Sequence, residues 1–182
     1  MTASSGSLGS VIVDALSRAR ADGTSRIEAE HLLAALLDDP VARPLFLGYL
    51  DDPDEVEAVF AAVRWARRRG GLTRREVGSL AQVGVDLDAV VARVEAELGE
   101  GALEVSRSTA RRWRVSLSSE GIAILEAAER EWQARGDRAL SAKHLVIGVL
   151  SARGLVADAL CSRGLTTAAV REAIDGSGPV GQ

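Results

Sequence analysis

Apolar residues recur along most of this chain at the three- and four-residue spacing of a helix face, and few runs alternate at the two-residue period of a strand. Leu32, Leu33, Leu36 and Leu37 form one such stripe, and Leu145, Val146, Val149 and Leu150 form another. The punctuation around the two stripes is the same. A preceding helix closes near Gly23 or Gly136, because glycine accepts the left-handed conformation that ends a helix. A short apolar turn follows, Arg26-Ile27 or Ala139-Leu140, and the next helix opens on a polar residue.

This correspondence is a repeat. The chain has 2 histidines, His31 and His144, and a shift of 113 residues superposes them. Val11–Leu37 then aligns without a gap on Ile124–Leu150, with 7 of 27 positions identical. The identities include Ala15/Ala128, Gly23/Gly136, His31/His144 and Leu32/Leu145. Each copy continues in a similar way. In the second, a short helix over Val156–Ser162 stops at Gly164, and Thr166 or Thr167 caps a last helix that ends near Ile174. In the first, the matching elements are Val41–Leu47 and Pro53–Arg69, with Pro53 placed to start its helix.

Between the copies, Glu76–Gln82, Gly84 and Asp86–Leu98 repeat the order of short helix, glycine and long helix. Val77, Leu80, Val83, Leu87, Val90, Val91 and Val94 give this insert an apolar face, which predicts an added half-repeat packed on the first copy. The expected organisation is a disordered arm over 1–7, repeat one over 8–71 and the insert over 72–98. A basic linker over 99–116 follows, with Arg107, Arg111, Arg112 and Arg114, then repeat two over 117–175 and a flexible tail over 176–182. The expected fold is all-α, a pseudo-twofold helical bundle with no β-sheet.

Composition agrees. Aromatics make up 3% of the chain, and alanine and leucine favour helices over strands. A net charge of -4 gives no general attraction to nucleic acid. The single cysteine, Cys161, excludes an internal disulfide and fits a reducing cytoplasm. It is expected to be a small buried hydrophobe. No apolar run has the roughly 18 residues a membrane helix needs, and the first residues lack a signal-peptide pattern.

Catalytic chemistry finds little support. There is no Gly-x4-Gly-Lys-Ser/Thr phosphate loop, no Gly-x-Ser-x-Gly elbow and no dinucleotide fingerprint, so neither a nucleotide cofactor nor an enzyme is expected. His31 and His144 lack further ligands at metal spacing and are expected to be packed, hydrogen-bonded residues.

The segments Ile27-Glu-Ala-Glu-His-Leu-Leu-Ala-Ala-Leu-Leu and Leu140-Ser-Ala-Lys-His-Leu-Val-Ile-Gly-Val-Leu resemble the Clp N-terminal repeat family. The stretch from Gly154 to Arg171 is similar to that family's continuation in ClpC-type unfoldases. The resemblance covers about Ser10–Leu50 and Leu117–Ile174, and leaves Leu72–Leu98 outside the usual two-repeat domain. It implies a compact bundle of about eight helices, in two four-helix repeats, that recognises peptides or proteins without catalysis. An adaptor role, binding of degradation-tagged substrates, and sequestration of cyclic peptide antibiotics are the functions it suggests. Implied partners are arginine-phosphorylated or cyclic peptides and Clp protease components. The arginine- and alanine-rich composition is similar to that of stand-alone Clp-repeat proteins of high-GC actinobacteria.

The resemblance also implies site residues. Glu30 occupies the position of a family glutamate that helps to bind phosphoarginine or another guanidinium, a group a carboxylate can grip with two hydrogen bonds. A glutamate in a first helical turn also simply complements the helix dipole. The matching residue in the second copy is Lys143, which reverses the charge. Where the family starts each repeat with an aromatic residue, this chain has Ser4 and Leu117, followed by the candidate caps Ser5 and Ser118. Leu117 can still supply an apolar wall. A different class of function is a helix-turn-helix transcription regulator that uses the 72–98 insert, with Arg64, Arg67, Arg68, Arg69, Arg74 and Arg75 against phosphates. Its would-be recognition helix carries Asp86, Asp88, Glu95 and Glu97 against the single Arg93, which disfavours DNA.

Overall fold

The computed structural model describes residues 7–24, 26–99 and 116–176. The arm over 1–6 with Ser4 and Ser5, the arginines at 107, 111, 112 and 114, and the tail over 177–182 lie outside the described residues. The elements in order are α1 (Leu8–Ala21), β1 (Arg26–Ile27), α2 (Ala29–Asp38), a 3-10 turn (Arg43–Phe46), α3 (Pro53–Arg67), α4 (Arg74–Gln82) and α5 (Leu87–Leu98). They continue with β2 (Ser116–Leu117), α6 (Ser119–Arg135), α7 (Ala142–Ser151), α8 (Leu155–Cys161) and α9 (Thr167–Gly176). The fold is all-α.

Local chemistry explains the boundaries. The Asp52 side chain accepts from the Glu55 N–H at 2.9 Å while Glu55 reaches back to the Asp52 N–H, and Pro53 fills the first helical position of α3. Ser118 caps α6 by accepting from the Gly121 N–H at 3.0 Å, and Thr166 caps α9 by accepting from the Ala169 N–H at 3.2 Å. α6 ends on Gly136 at φ 67°, and Gly23 follows α1 at φ 68°, both left-handed as the sequence predicts. α1 itself is capped by Ser7, which accepts from the Ser10 N–H at 3.2 Å, two positions later than the expected Ser5.

Two expectations need correction. The segment 41–47 is not an α-helix: its one regular stretch is the 3-10 turn, where Pro44 has no N–H to give to a longer helix. The bundle also contains a minimal sheet. β1 and β2 pair in parallel, Arg26 with Ser116 and Ile27 with Leu117, and the Ser118 N–H donates to the Ile27 carbonyl at 3.0 Å. The cause is the extended turn before each second helix. Its backbone groups sit at the edge of the core and must find partners there, and the segment entering α6 supplies them.

The two stripes bury as one core. Leu32, Leu33, Leu36, Leu145, Ile147 and Leu160 are each at 0% exposure, and α2 packs on α7 at the centre while α3 packs on α8. α6 and α7 share the most extensive helix–helix contact. Gly148 lies there, and a Cβ on it would fall 2.5 Å from the Ile124 carbonyl oxygen. α4 and α5 form two helices where the spacing predicts them. Val91 is buried at 8% exposure, whereas Val83 at 75% and Val90 at 46% stay uncovered. Their anchor to α3 is polar. The Arg69 guanidinium stacks 4.0 Å from the Trp65 ring centroid and donates to Asp88 at 2.9 Å. No single helix among the described residues is long and apolar enough to cross a membrane. α7 and α8 would do so only together, and they bend by 94° within the core.

Candidate functional site

The two histidines take the same local role. Nδ1 of His31 accepts from the Glu28 N–H at 2.8 Å, and Nδ1 of His144 accepts from the Ser141 N–H at 3.1 Å. Each ring therefore carries its proton on Nε2, which donates to a carboxylate, Asp22 at 3.1 Å or Asp137 at 2.9 Å. These aspartates occupy non-equivalent positions in the two copies. Burial holds His144 below the ordinary histidine range despite Asp137. With both nitrogens engaged, each ring closes a helix start, and no group of three or more ligating side chains among the described residues could hold a metal.

Glu30, in the first turn of α2, does receive a two-pronged guanidinium, from Arg67 at the end of α3. Nε and Nη2 of Arg67 donate to its two carboxyl oxygens at 2.6 and 2.7 Å. Glu28 stands 3.6 Å from the same Arg67. Lys143, in the first turn of α7, pairs with Asp137 at 2.7 Å. That hydrogen bond is the main reason the Asp137 carboxyl lies below the usual carboxylate range. Glu30 and Lys143 are thus each engaged within the chain.

Leu117 lies elsewhere. Half-buried in β2, it lines an open groove of about 310 Å³ together with Leu8, Ile122, Leu125, Glu126, Glu129 and Leu140. α1, β2, α6 and the turn before α7 each contribute a wall. α6 can do this because it carries two stripes. Ile124, Ala127, Ala128 and Glu131 face the core, and Ile122, Leu125, Glu126 and Glu129 lie beside them at positions that share an adjacent face. Of the three residues the resemblance implicates, Leu117 alone borders this groove. Sequence reasoning passed over Ile122, Leu125 and the two glutamates. The available signal was apolar residues at 122 and 125 beyond what one core stripe requires.

Two further expectations meet the structure. Cys161, the last residue of α8, is exposed rather than buried. The arginines of the basic run are largely occupied. Arg64 pairs with Glu57, Arg67 with Glu30, Arg68 with Glu95 and Arg69 with Asp88, while Arg74 lies over Trp65 at 5.4 Å. The acidic side chains of α5 thus neutralise cations that a DNA-binding reading would need free.

No protein-family model matches the sequence, and no curated protein matches it either. Solved structures do. The N-terminal domain of the caseinolytic protease associated chaperone ClpD from Arabidopsis thaliana is similar over 97% of this chain and 98% of that one, with a TM-score of 0.50 and 16% identity. The Hsp104 N-terminal domain from Candida albicans is similar over 94% of this chain and 89% of that one, with a TM-score of 0.49 and 15% identity. At such identity the likeness is one of fold, and the fold of this chain is that of the Clp-type N-terminal domain.

Proposed function

We propose that this chain is a non-catalytic recognition domain for peptides or protein segments, with the Leu117 groove as its contact surface. The observation that carries the reading is the groove itself. Leu8, Leu117, Leu125 and Leu140, half-buried against the core, and Ile122, 48% exposed, bring apolar side chains from four separate elements to one open depression. The exposed Glu126 and Glu129 at its rim favour a ligand whose apolar side chains are flanked by arginine or lysine. A cyclic peptide of that character fits the same surface. Glu30 is a second proposed contact, for a ligand guanidinium that takes the place of Arg67. Lys143, by its charge, would turn the same group away. Roles as an adaptor, as a binder of tagged proteins for a Clp machine, or as a sink for peptide antibiotics all use this surface, in the cytoplasm.

Titration calorimetry with a short synthetic peptide of alternating leucine and arginine tests the reading. Leu125→Asp removes an apolar contact worth about 1.5–3 kcal/mol and is expected to weaken binding by about one to two orders of magnitude. Glu30→Ala removes a charge-assisted contact of similar worth and should act in the same direction. Lys143→Glu should strengthen binding or add a second site. Equal affinity and stoichiometry in the wild type and all three variants would refute the assignment of these contacts.

A further inference from the structure

The two halves of the fold meet at a junction where, among the described groups that act most on Glu120, carboxylates outnumber arginines. Glu28 and Glu30 enter it from the start of α2, Arg67 from the end of α3, Glu120 from the first turn of α6 and Asp158 from α8. These are the charged groups that act most strongly on Glu120, and Arg67 is the single cation among them. Both donors of its fork face Glu30, with Glu28 next to them. The Glu120 carboxyl meets no hydrogen-bond donor among the described residues. It lies instead against the α-carbon of Gly154, just before α8. A Cβ on Gly154 would fall 1.9 Å from Glu120 Oε1 and 2.6 Å from its carboxyl carbon. Glu120 therefore occupies the space that any larger residue at 154 would take.

We propose that Glu120 is a proton-dependent latch between the two halves. With its proton, the carboxyl packs neutral against Gly154 and holds the start of α6 to the starts of α2 and α8. Without it, the carboxylates of Glu28, Glu30 and Asp158 repel it and the junction loosens. The latch does not rest on the Leu117 groove, although Glu30 is shared with the second proposed ligand contact.

Electrostatics supports the geometry. Burial first, and then the Glu30 carboxylate, push Glu120 up to about 7, with Arg67 opposing. The folded chain thus holds this proton more tightly than the unfolded chain, whose carboxyl titrates near 4.5. The contribution of Glu120 to stability is fully present below that value. It is lost as pH rises from there through about 7, and above that the loss is complete. His144, held low by burial, acts in the opposite sense and only as pH falls below the ordinary histidine value of about 6.5.

Thermal unfolding of the full chain and of Glu120→Gln, followed from about pH 5 to about pH 8, isolates the latch, because histidine and the other carboxylates are common to both proteins. The melting-temperature difference should move in favour of the variant by about 2–5 °C across this range. Amide exchange, corrected for its intrinsic pH dependence, should show the first turns of α6 and α8 losing protection at high pH in the wild type but not in the variant. A difference that stays constant with pH, or equal exchange in both proteins, would overturn the latch. If Glu120→Gln does not fold, carboxyl-carbon titration of the wild type by NMR decides: a Glu120 midpoint near 7 supports the latch and one near 4.5 removes it.

Discussion

Replacing Gly148 with leucine should leave no folded chain, and even Gly148→Ala should cost about 1–3 kcal/mol. The reason is the closeness of α6 and α7. An added Cβ would stand 2.5 Å from the Ile124 carbonyl oxygen, 3.1 Å from the Ala128 nitrogen and 3.0 Å from the Ala128 Cβ. Two of these are backbone atoms, which cannot rotate aside, so the helices must separate. The equivalent position in the first copy, Ala35, is 1% exposed and already accommodates a methyl group. A leucine at 148 adds three more carbons to the same clash, against a total stability of only about 5–15 kcal/mol for a typical domain. Thermal melts followed by circular dichroism give the answer. An unchanged melting temperature for Gly148→Ala would mean that the crossing is looser than described.

Phe46→Ala should be nearly as damaging, at about 3–5 kcal/mol. Phe46 is 1% exposed and is among the largest fully buried side chains, although it belongs to a short 3-10 turn rather than to a long helix. That turn packs against α9, the last helix of the other half. The cavity would open where the halves interlock, and the surrounding helices cannot collapse to fill it without shifting both. Urea unfolding should show one transition with a lowered midpoint and an unchanged slope. Two separated transitions would show that the halves fold independently.

What the sequence reveals is chiefly what neighbouring residues decide among themselves. Helix stripes, Pro53 at the start of α3, the Ser118 and Thr166 caps, and the left-handed glycines at 23 and 136 all act within a few positions, so the residue order exposes them. The two helices of the insert are visible for the same reason. Features that join distant segments are not. Nothing near Arg26 announces that it will pair with Ser116, and nothing near Glu30 announces Arg67. The run of arginines at 64–75 looks like a basic patch in linear order. Folding brings Glu30 from α2 and Glu95 and Asp88 from α5 to three of them, and Glu57 of α3 itself pairs with Arg64. Ser5 and Ser7 are equally good caps by chemistry, so the residue order alone does not say which serine opens α1. Cys161 misleads by its apolar neighbours in sequence, because the last residue of a short helix can stay uncovered although the residues before it are packed. The groove was half legible: Leu117 is marked by its position at the start of a repeat, whereas Ile122 and Leu125 matter only once a second face of α6 is known to border open space.

Titrating the isotope-labelled chain with the leucine–arginine peptide, and following its amide resonances, decides whether the Leu117 groove receives a peptide. The expected result is saturable shifts concentrated at Leu8, Leu117, Ile122, Leu125 and Leu140, with Glu126 and Glu129 moving in step. Shifts confined to α4 and α5, or a spectrum that does not change as the peptide reaches millimolar concentration, would contradict it.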